Sequence, residues 1–360
     1  MENKLKAGII TFHDTPNYGA TLQCYALSSF LKSEGADVEV INYRPPHTAL
    51  QYIKSLFLGK RRSLQNFQRV ARFNDFVKKN LKLSGPAAIA PGALAPLARR
   101  YDLTLTGSDE VWKVDHMRKL DPTYYLPFCD TTKTRVTSYA ASASTVTDLR
   151  KYADTVKPLL DRFAAIAVRD PHTAEQVEAL TGKAPVQVVD PTFLWDWSKE
   201  ELPPIETKPY IALYSWLNDA EFAYVRKFAD AQGWRIVCVG CRHRGADANQ
   251  MGIGPKEWLQ LFKHSEMVVT NFFHGVVFAM LFGRKLYAHV DAAKRMKLAR
   301  VLEIAGLPGR LHDDLKGLEN RSAADFAYDV VAVTQHLEPS ITGSKSFLRA
   351  QLAASGGKGQ

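Results

Sequence analysis

The chain has 360 residues, of which 46% are hydrophobic and 23% are charged, and its formal net charge is +10 at pH 7. This composition is typical of a globular protein and excludes a disordered, collagen-like or low-complexity chain. No apolar run approaches the ~20 residues that span a bilayer. The first apolar stretch is broken at His13 and Asp14 and is too short for a secretory signal. We therefore expect a cytoplasmic protein of about two domains, with a positive field that favours anionic partners.

Strand and helix patterns alternate along the first half of the chain. The apolar run 7–12 predicts a strand, 19–35 repeats its apolar residues at helical spacing, and 38–41 predicts a second, parallel strand. Residues 48–82 have the pattern of a basic amphipathic helix. Further strands are predicted over 103–105, 135–137, 165–168 and 186–189, with helices over 149–163 and 173–180.

Closely spaced prolines over 203–209 interrupt this pattern and predict a domain boundary, because proline continues neither a helix nor a central strand. We expect an N-terminal domain over 1–200, a C-terminal domain over 201–345 and a flexible tail over 346–360. A second alternating set supports this division, with strands over 210–214, 235–239, 267–269 and 285–288 and helices over 220–231, 255–264 and 275–282. The fold class predicted is α/β, with two Rossmann-like domains facing a cleft. In such sheets ligands bind beyond the carboxyl ends of the strands.

The segment after the first strand contains Asn17, Tyr18 and Gly19. Asn17 can cap the next helix, whose unpaired N–H groups and dipole attract an anion, and Gly19 lets a ligand approach the backbone. A plain strand–turn–helix connection explains the same residues. Spacing alone favours that simpler interpretation, because neither a dinucleotide-binding pattern nor a P-loop is present.

Small and polar residues follow the next two strands. Gly107, Ser108 and Asp109 form a predicted turn in which the carboxylate can orient or deprotonate a sugar hydroxyl, and Trp112 can stack on a sugar ring. The alternative is an Asx turn with Trp112 in the core. Ser142 offers a hydroxyl after the strand at 135–137.

Arg169 follows the strand at 165–168 and admits two interpretations. A guanidinium at this point can bind a carboxylate or a phosphate through two parallel hydrogen bonds. It can equally form a structural pair with a neighbouring aspartate, such as Asp170. Asp190, after the strand at 186–189, is interpreted as part of a structural turn.

His274 is the most informative residue of the second half. It follows a buried strand and begins an apolar helix, which places it at a helix N-terminus facing the expected cleft. The helix dipole disfavours the imidazolium form there, so the ring can act as a base or donate one hydrogen bond. Gly275 leaves room for a ligand next to the backbone. A lone histidine is usually structural, but this position favours a function.

Other motifs carry less chemistry. Cys238 and Cys241 have Cys-x-x-Cys spacing, but a zinc site needs about four ligands and only His243 is near in sequence, so a core and a loop cysteine are expected. The basic segment 54–72 can rest on an anionic membrane surface, but an ordinary amphipathic helix with its polar face in water is the favoured interpretation. No nucleic-acid recognition module is present.

Together these motifs resemble the polysaccharide pyruvyl transferase family. The similarity runs in order through most of the chain, over 8–12, 17–20, 107–112, 138–142, 168–170, 190–192, 273–275 and 300–310. It implies an architecture similar to that of the GT-B glycosyltransferases. It also implies transfer of a pyruvyl group from phosphoenolpyruvate to two sugar hydroxyls as a cyclic ketal, without a cofactor or a metal. By analogy Arg169 would bind the donor, His274 would serve proton transfer or hold the phosphate, and Asp109 would act on the acceptor.

The sequence departs from the family pattern just before His274. Phe272 stands where some members carry an arginine or a serine, and Asn271 stands where an aspartate is usual. The missing phosphate ligand would be replaced by Lys294, Arg295 or Lys297, and a lysine supplies a point charge rather than a fork.

The expected partners are phosphoenolpyruvate or another anionic donor and a sugar or lipid-linked glycan acceptor, with peripheral contact with an inner membrane and no nucleic acid. Two alternatives stay open. One is a glycosyltransferase that uses a nucleotide sugar, and the other is a non-catalytic family member in a glycan assembly complex.

Overall fold

The structure is a computed structural model that describes residues 4–45, 64–115, 119–290 and 295–356. The chain divides into two compact units. The first contains the described residues of 1–60, 77–195 and 340–360, and the second contains those of 61–76 and 196–339. Each unit therefore includes one segment that is distant in sequence from the rest, which the predicted division into 1–200 and 201–345 did not anticipate.

The first unit is built on a parallel sheet with the strand order β2-β1-β3-β4. These strands are β1 (Lys6–Ile10), β2 (Asp37–Val40), β3 (Leu103–Thr106) and β4 (Arg135–Ser138). A short parallel pair follows, formed by β5 (Ala167–Val168) and β6 (Val186–Gln187). The helices are α1 (Tyr18–Ser33), α2 (Leu64–Asn80), which begins in the second unit, α3 (Ala153–Leu160) and α4 (Pro171–Thr181).

The second unit contains a six-stranded parallel sheet with the order β12-β11-β10-β7-β8-β9. Its strands are β7 (Tyr210–Tyr214), β8 (Arg235–Val239), β9 (Ala248–Gln250), β10 (Met267–Thr270), β11 (Lys285–His289) and β12 (Leu311–His312). Its helices are α5 (Asp219–Gln232), α6 (Pro255–Lys263), α7 (Phe273–Leu281), α8 (Arg295–Ile304) and α9 (Val330–Gly356), which ends in the first unit.

Short 3-10 helices connect these elements. They are Pro91–Leu97, Pro122–Tyr125, Leu149–Tyr152, Pro191–Phe193, Trp197–Lys199, Pro308–Arg310, Lys316–Leu318 and Ala323–Phe326. The predicted α/β fold class with two Rossmann-like domains is confirmed in its parallel sheets and alternating helices.

Each sheet has a point at which the direction of strand addition reverses. In the first unit β2 lies on one side of β1 and β3 on the other, and in the second unit β8 and β10 lie on opposite sides of β7. Open parallel sheets bind ligands outside the carboxyl ends of the strands at such switch points. The segments after β1, β3, β7 and β10 are therefore the places to examine for function.

The prediction of a flexible tail over 346–360 is wrong for residues up to Gly356, which belong to α9. Contacts with the first unit hold this end of the helix. Leu348 is fully buried, Arg349 forms a two-pronged ion pair with Glu34 at 2.8 Å, and Gln351 accepts a hydrogen bond from Arg135 at 3.0 Å. Residues 357–360 lie outside the described part of the chain.

The helix predicted over 48–82 is observed only from Leu64, because residues 46–63, with most of the basic segment, lie outside the described ranges. Within the described ranges, no helix combines the length and the apolar character that crossing a bilayer requires.

Candidate functional site

The turn after β3 places a carboxylate at the switch point of the first sheet. Gly107 packs so closely on β1 that an added Cβ would lie 3.1 Å from Ile9. Asp109 has φ +83°, in the region that disfavours residues other than glycine. Its carboxylate accepts a hydrogen bond from the Glu110 N–H at 2.8 Å, and its carbonyl accepts one from the Ser142 N–H at 3.1 Å. Strain of this kind persists where neighbouring contacts enforce it, and it concentrates at functional sites.

The turn after β4 has the same character and is joined to the Asp109 turn. Ala140 and Ser144, on either side of Ser142, have φ values of +53° and +60°. The Ser142 hydroxyl accepts a hydrogen bond from the Ser144 N–H at 3.0 Å, and its carbonyl accepts one from the Trp112 N–H at 3.1 Å. The structure thus brings the predicted residues 107–109 and Ser142 together, with the Ser142 hydroxyl engaged in its own turn.

Arg169 lies beside these turns, and its ion-pair partner is Asp190 rather than the adjacent Asp170. Its Nη1 donates to the Asp190 carboxylate at 2.9 Å, and its Nη2 lies 4.0 Å from the Asp109 carboxylate. The Arg169 and Asp190 side chains are 5% and 0% exposed. Asp170 instead caps α4 by accepting from the Thr173 N–H at 2.8 Å.

Electrostatics keep this buried guanidinium charged. Burial by itself would lower the pKa of Arg169, but the negative charges of Asp190, Asp109 and Glu110 outweigh it and raise that pKa. Ser108, which is fully buried, donates weakly to the Asp190 carboxylate at 3.5 Å. The arrangement fits a structural pair that holds Asp109 better than it fits an arginine open to a ligand.

Trp112 occupies the core, which is the alternative to its predicted stacking role. The ring is 1% exposed, lies parallel to Tyr125 at 5.2 Å, and donates from its indole N–H to the Tyr124 carbonyl at 3.2 Å. It contributes only to the wall of a small pocket that Phe12 and Asp121 also line. A sugar has no open face of Trp112 on which to stack.

The segment before α1 presents one polar side chain to solvent. Asn17 is exposed and caps the helix by accepting from the Ala20 N–H at 3.3 Å. Tyr18 is 1% exposed and Gly19 is buried, so both belong to the packing of α1. Of these three predicted binding residues, Asn17 is the one that remains accessible.

His274 is the second residue of α7, directly after β10 and thus at the switch point of the second sheet. His274 is partly exposed as a residue, its Nε2 is buried, and its ring meets the Phe273 ring edge-on at 5.1 Å. The N-cap residue Phe272 provides no side-chain cap and packs on Tyr214 with ring centroids 4.6 Å apart. The first turn of α7 thus combines an anion-attracting helix end with a side chain able to transfer protons.

Gly275 is required by packing inside the protein rather than by a ligand. A Cβ at this position would lie 2.9 Å from the Thr270 Cβ and closer still to its hydroxyl. That hydroxyl donates to the Tyr214 carbonyl at 2.8 Å and accepts from the Phe272 N–H at 3.1 Å. Thr270 therefore fixes the start of α7 against β7, and with it the position of His274.

Of the three predicted replacement cations, one lies beside this turn. The Lys297 ammonium is 5.0 Å from the centre of the Phe273 ring, next to His274. Arg295 instead forms an ion pair with Asp313. Lys294 lies outside the described residues.

Two contacts were missed from the sequence. Asp190 caps the 3-10 helix Pro191–Phe193, in agreement with its interpretation as a turn residue, but its ion pair with Arg169 was not predicted. Ser215 directly follows β7 and His289 is the last residue of β11. Their side chains form a buried hydrogen bond of 3.0 Å, which no spacing in the sequence reveals.

No metal centre is found among the described ranges, where no group of three or more His, Cys, Asp or Glu side chains is placed to hold an ion. Cys238 and Cys241 are both buried thiols, and Cys241 donates to the Leu213 carbonyl at 3.3 Å. They are thus core residues of the second sheet.

Comparisons with known proteins identify a family and a fold. A family model described as polysaccharide pyruvyl transferase matches residues 17–288, which is most of the chain. No curated protein sequence matches at a significant level.

Solved structures share the fold at low sequence identity. UDP-GlcNAc 2-epimerase from Methanocaldococcus jannaschii has a TM-score of 0.51 and 11% identity, over 94% of this chain and 93% of that one. UDP-N-acetylglucosamine 2-epimerase from Rickettsia bellii has a TM-score of 0.51 and 10% identity, over 98% and 97%. A putative enzyme of the same name from Listeria monocytogenes has a TM-score of 0.50 and 12% identity, over 96% and 91%. These likenesses show the fold that the sequence predicted, the GT-B-like pairing of Rossmann-like domains.

Proposed function

Because the chain belongs to the polysaccharide pyruvyl transferase family, we propose that it transfers the pyruvyl group of phosphoenolpyruvate to two hydroxyls of one sugar. Family membership makes it a transferase of polysaccharide synthesis. The donor and the ketal product are the proposal. The observation that carries it is the first turn of α7, a helix end suited to an anion that contains His274 and has the Lys297 ammonium 5.0 Å from the centre of the Phe273 ring.

The proposed reaction is balanced without an oxidant or a reductant. A proton adds to the methylene carbon of phosphoenolpyruvate and makes the adjacent carbon electrophilic. One sugar hydroxyl adds there and loses its proton, and the second hydroxyl then displaces phosphate and loses its proton. The sugar gains one pyruvic acid less one water, and inorganic phosphate leaves. Positioned acids and bases contribute ~10²–10⁴-fold to such steps.

We assign the proton transfers near the donor to His274, and the stabilisation of donor charge to Lys297 and the α7 helix end. Asp109 is assigned the removal of a hydroxyl proton. Arg169 is assigned as a positioning residue. Its guanidinium is buried against Asp190 and lies 4.0 Å from the Asp109 carboxylate, so it would act by holding that carboxylate in place. We place the reaction in the cytoplasm, at the surface of the inner membrane when the acceptor is lipid-linked.

The test compares phosphate release from phosphoenolpyruvate, in the presence of candidate glycans, between the wild-type chain and two variants. We expect His274→Asn and Asp109→Asn each to reduce turnover by about 10²-fold or more. The matched control is His336→Asn, which changes an exposed imidazole on α9. Full turnover in both site variants would refute the assignment of residues.

A nucleotide-sugar enzyme is the second candidate, because UDP-GlcNAc 2-epimerases are among the solved structures that share the fold. Calorimetry with UDP and with phosphoenolpyruvate separates the two. Binding of UDP without binding of phosphoenolpyruvate would reverse the ranking.

A further inference from the structure

A row of polar side chains crosses the carboxyl ends of four neighbouring strands in the second unit. Thr270 on β10 pairs in register with Tyr214 on β7 and with Ala288 on β11. One position further along lie Ser215, Asn271 and His289, and His289 pairs in register with His312 on β12. Because side chains in register point to the same face of a sheet, His289 and His312 share a face, and the hydrogen bond between Ser215 and His289 places Ser215 with them. Asn271 follows the last residue of β10, the strand between β7 and β11. We call Ser215, Asn271, His289 and His312 the polar row.

One end of the polar row is already ordered by a hydrogen bond. The Ser215 hydroxyl and the His289 Nε2 are 3.0 Å apart, and the two side chains are nearly buried. This bond passes across the end of β10, the strand that leads into α7 and His274. The row therefore lies at the switch point of the sheet, in the same unit as the proposed proton-transfer group.

The rest of the polar row contains polar atoms that lack partners. Within the described ranges, Asn271 Oδ1 and His312 Nε2 are both buried and form no hydrogen bond. A buried polar atom left without a partner destabilises the protein, because it has lost its hydrogen bonds to water. Both residues are partly exposed, so a ligand that approaches their side chains and turns them outward can supply the missing partner.

The chemistry of these atoms selects the kind of partner. His312 stacks on Tyr287 at 4.1 Å, and burial together with the charges of Arg321 and Arg310 lowers its pKa. A neutral imidazole and an amide each offer both donors and acceptors. A hydroxyl also does both, so it suits either orientation of the amide and either tautomer of the ring, whereas a phosphate or carboxylate oxygen only accepts.

An exposed aromatic residue is adjacent in sequence to the first member of this row. Trp216 follows Ser215 directly, and its side chain is 58% exposed although it is large and apolar. A flat apolar face next to a set of hydroxyl-binding groups is the combination that a sugar ring requires, since sugars have both apolar faces and polar edges.

We propose that the polar row binds the non-reacting hydroxyls of the acceptor sugar, with Trp216 stacking on its ring. The second unit then holds acceptor as well as donor groups. Sugar binding by the polar row can be measured without any turnover. Only the identification of that sugar as the acceptor rests on the proposed function.

The experiment measures binding of two probes, methyl β-galactoside and methyl N-acetyl-β-glucosaminide, to the full chain by saturation-transfer difference NMR. The variants are Asn271→Leu, which keeps the side-chain shape, and His312→Phe, which keeps the stacking on Tyr287. Each removes a hydrogen bond worth about 1 kcal/mol, so we expect a roughly fivefold loss of affinity for the probe that binds. His336→Phe is the matched control and should bind as the wild type does.

Several outcomes decide the matter. Circular dichroism verifies that each variant is folded, and Ser215→Ala serves as a third, smaller change to the row. Unchanged glycoside binding in the row variants, or no glycoside binding by the wild-type chain, overturns the proposal. If the row variants lose binding of inorganic phosphate but keep glycoside binding, the proposal is also overturned, because the polar row would then bind the anion rather than the sugar. If glycosides bind through the row but phosphoenolpyruvate neither binds nor turns over, the proposed function fails while this inference stands.

Discussion

Replacing Asp190 with alanine removes the principal partner of a cation that the fold has buried. The lost carboxylate accepts hydrogen bonds from Arg169 at 2.9 Å and from the Thr192 backbone N–H and hydroxyl at 3.1 and 2.8 Å. Breaking a buried ion pair by deleting one member costs about 3–5 kcal/mol, because the remaining charge stays in a poorly solvating environment. For a unit of this size, that corresponds to a fall of roughly 6–20 °C in Tm.

A double variant separates the effect of the ion pair from the effects of its two members. Removing both members of the pair in Arg169→Met/Asp190→Asn leaves neither of these two buried charges without the other. We therefore expect the double variant to be more stable than the sum of the single changes Arg169→Met and Asp190→Asn predicts, by about 2 kcal/mol. Thermal and urea unfolding, followed by circular dichroism for all four proteins, measures this coupling. Additivity within about 0.5 kcal/mol would show that Arg169 and Asp190 act independently and would refute the account of the site.

Three further predictions concern the packing around Gly275, the pH dependence of stability, and the contribution of Lys297 to donor binding. Gly275→Ala should destabilise by about 1–3 kcal/mol through its clash with β10, whereas Gly343→Ala, where an added Cβ meets nothing within 4 Å, should not; thermal unfolding compares them. Burial lowers the pKa of His13, so below about pH 6.5 the unfolded chain binds a proton that the folded chain does not, and the free energy of unfolding decreases as the pH is lowered. His13→Gln should make the melting temperature depend less on pH over this range. Lys297→Gln should weaken phosphoenolpyruvate binding in calorimetry more than Arg300→Gln, an exposed change on the same helix, and equal effects would argue against a role for Lys297.

Patterns within single segments made much of the fold predictable. Strands β7 and β8 occupy the predicted residues, and the ends of α5 and α6 lie within one residue of their predicted bounds. These elements were predictable because apolar periodicity and helix caps are local signals. The elements that were missed lack those signals. Strand β9 reads Ala248–Gln250 and is short and polar, and β12 has only two residues.

The C-terminal helix shows a different limit. Its Gly- and Ser-rich end resembles a disordered tail, yet α9 continues to Gly356 because Leu348, Arg349 and Gln351 contact residues far away in the chain. Tertiary contacts of this kind override local propensity, and a single sequence does not display them.

The candidate site was predictable in its positions but not in its pairings. Asp109, Arg169 and His274 follow strands β3, β5 and β10, as their places in the sequence predicted. Which side chain meets which depends on contacts across strands: Asp190, rather than Asp170, binds Arg169, and Ser215 meets His289 across an intervening strand.

The most direct test of the central claim uses phosphoenolpyruvate labelled with 13C at the carbon that bears the phosphate. After incubation with the purified chain and an acceptor glycan, the account predicts that the label becomes a carbon bonded to two sugar oxygens, with one phosphate released for each sugar modified. Recovery of the label as unreacted donor or as free pyruvate, while the glycan keeps its original mass, would contradict it.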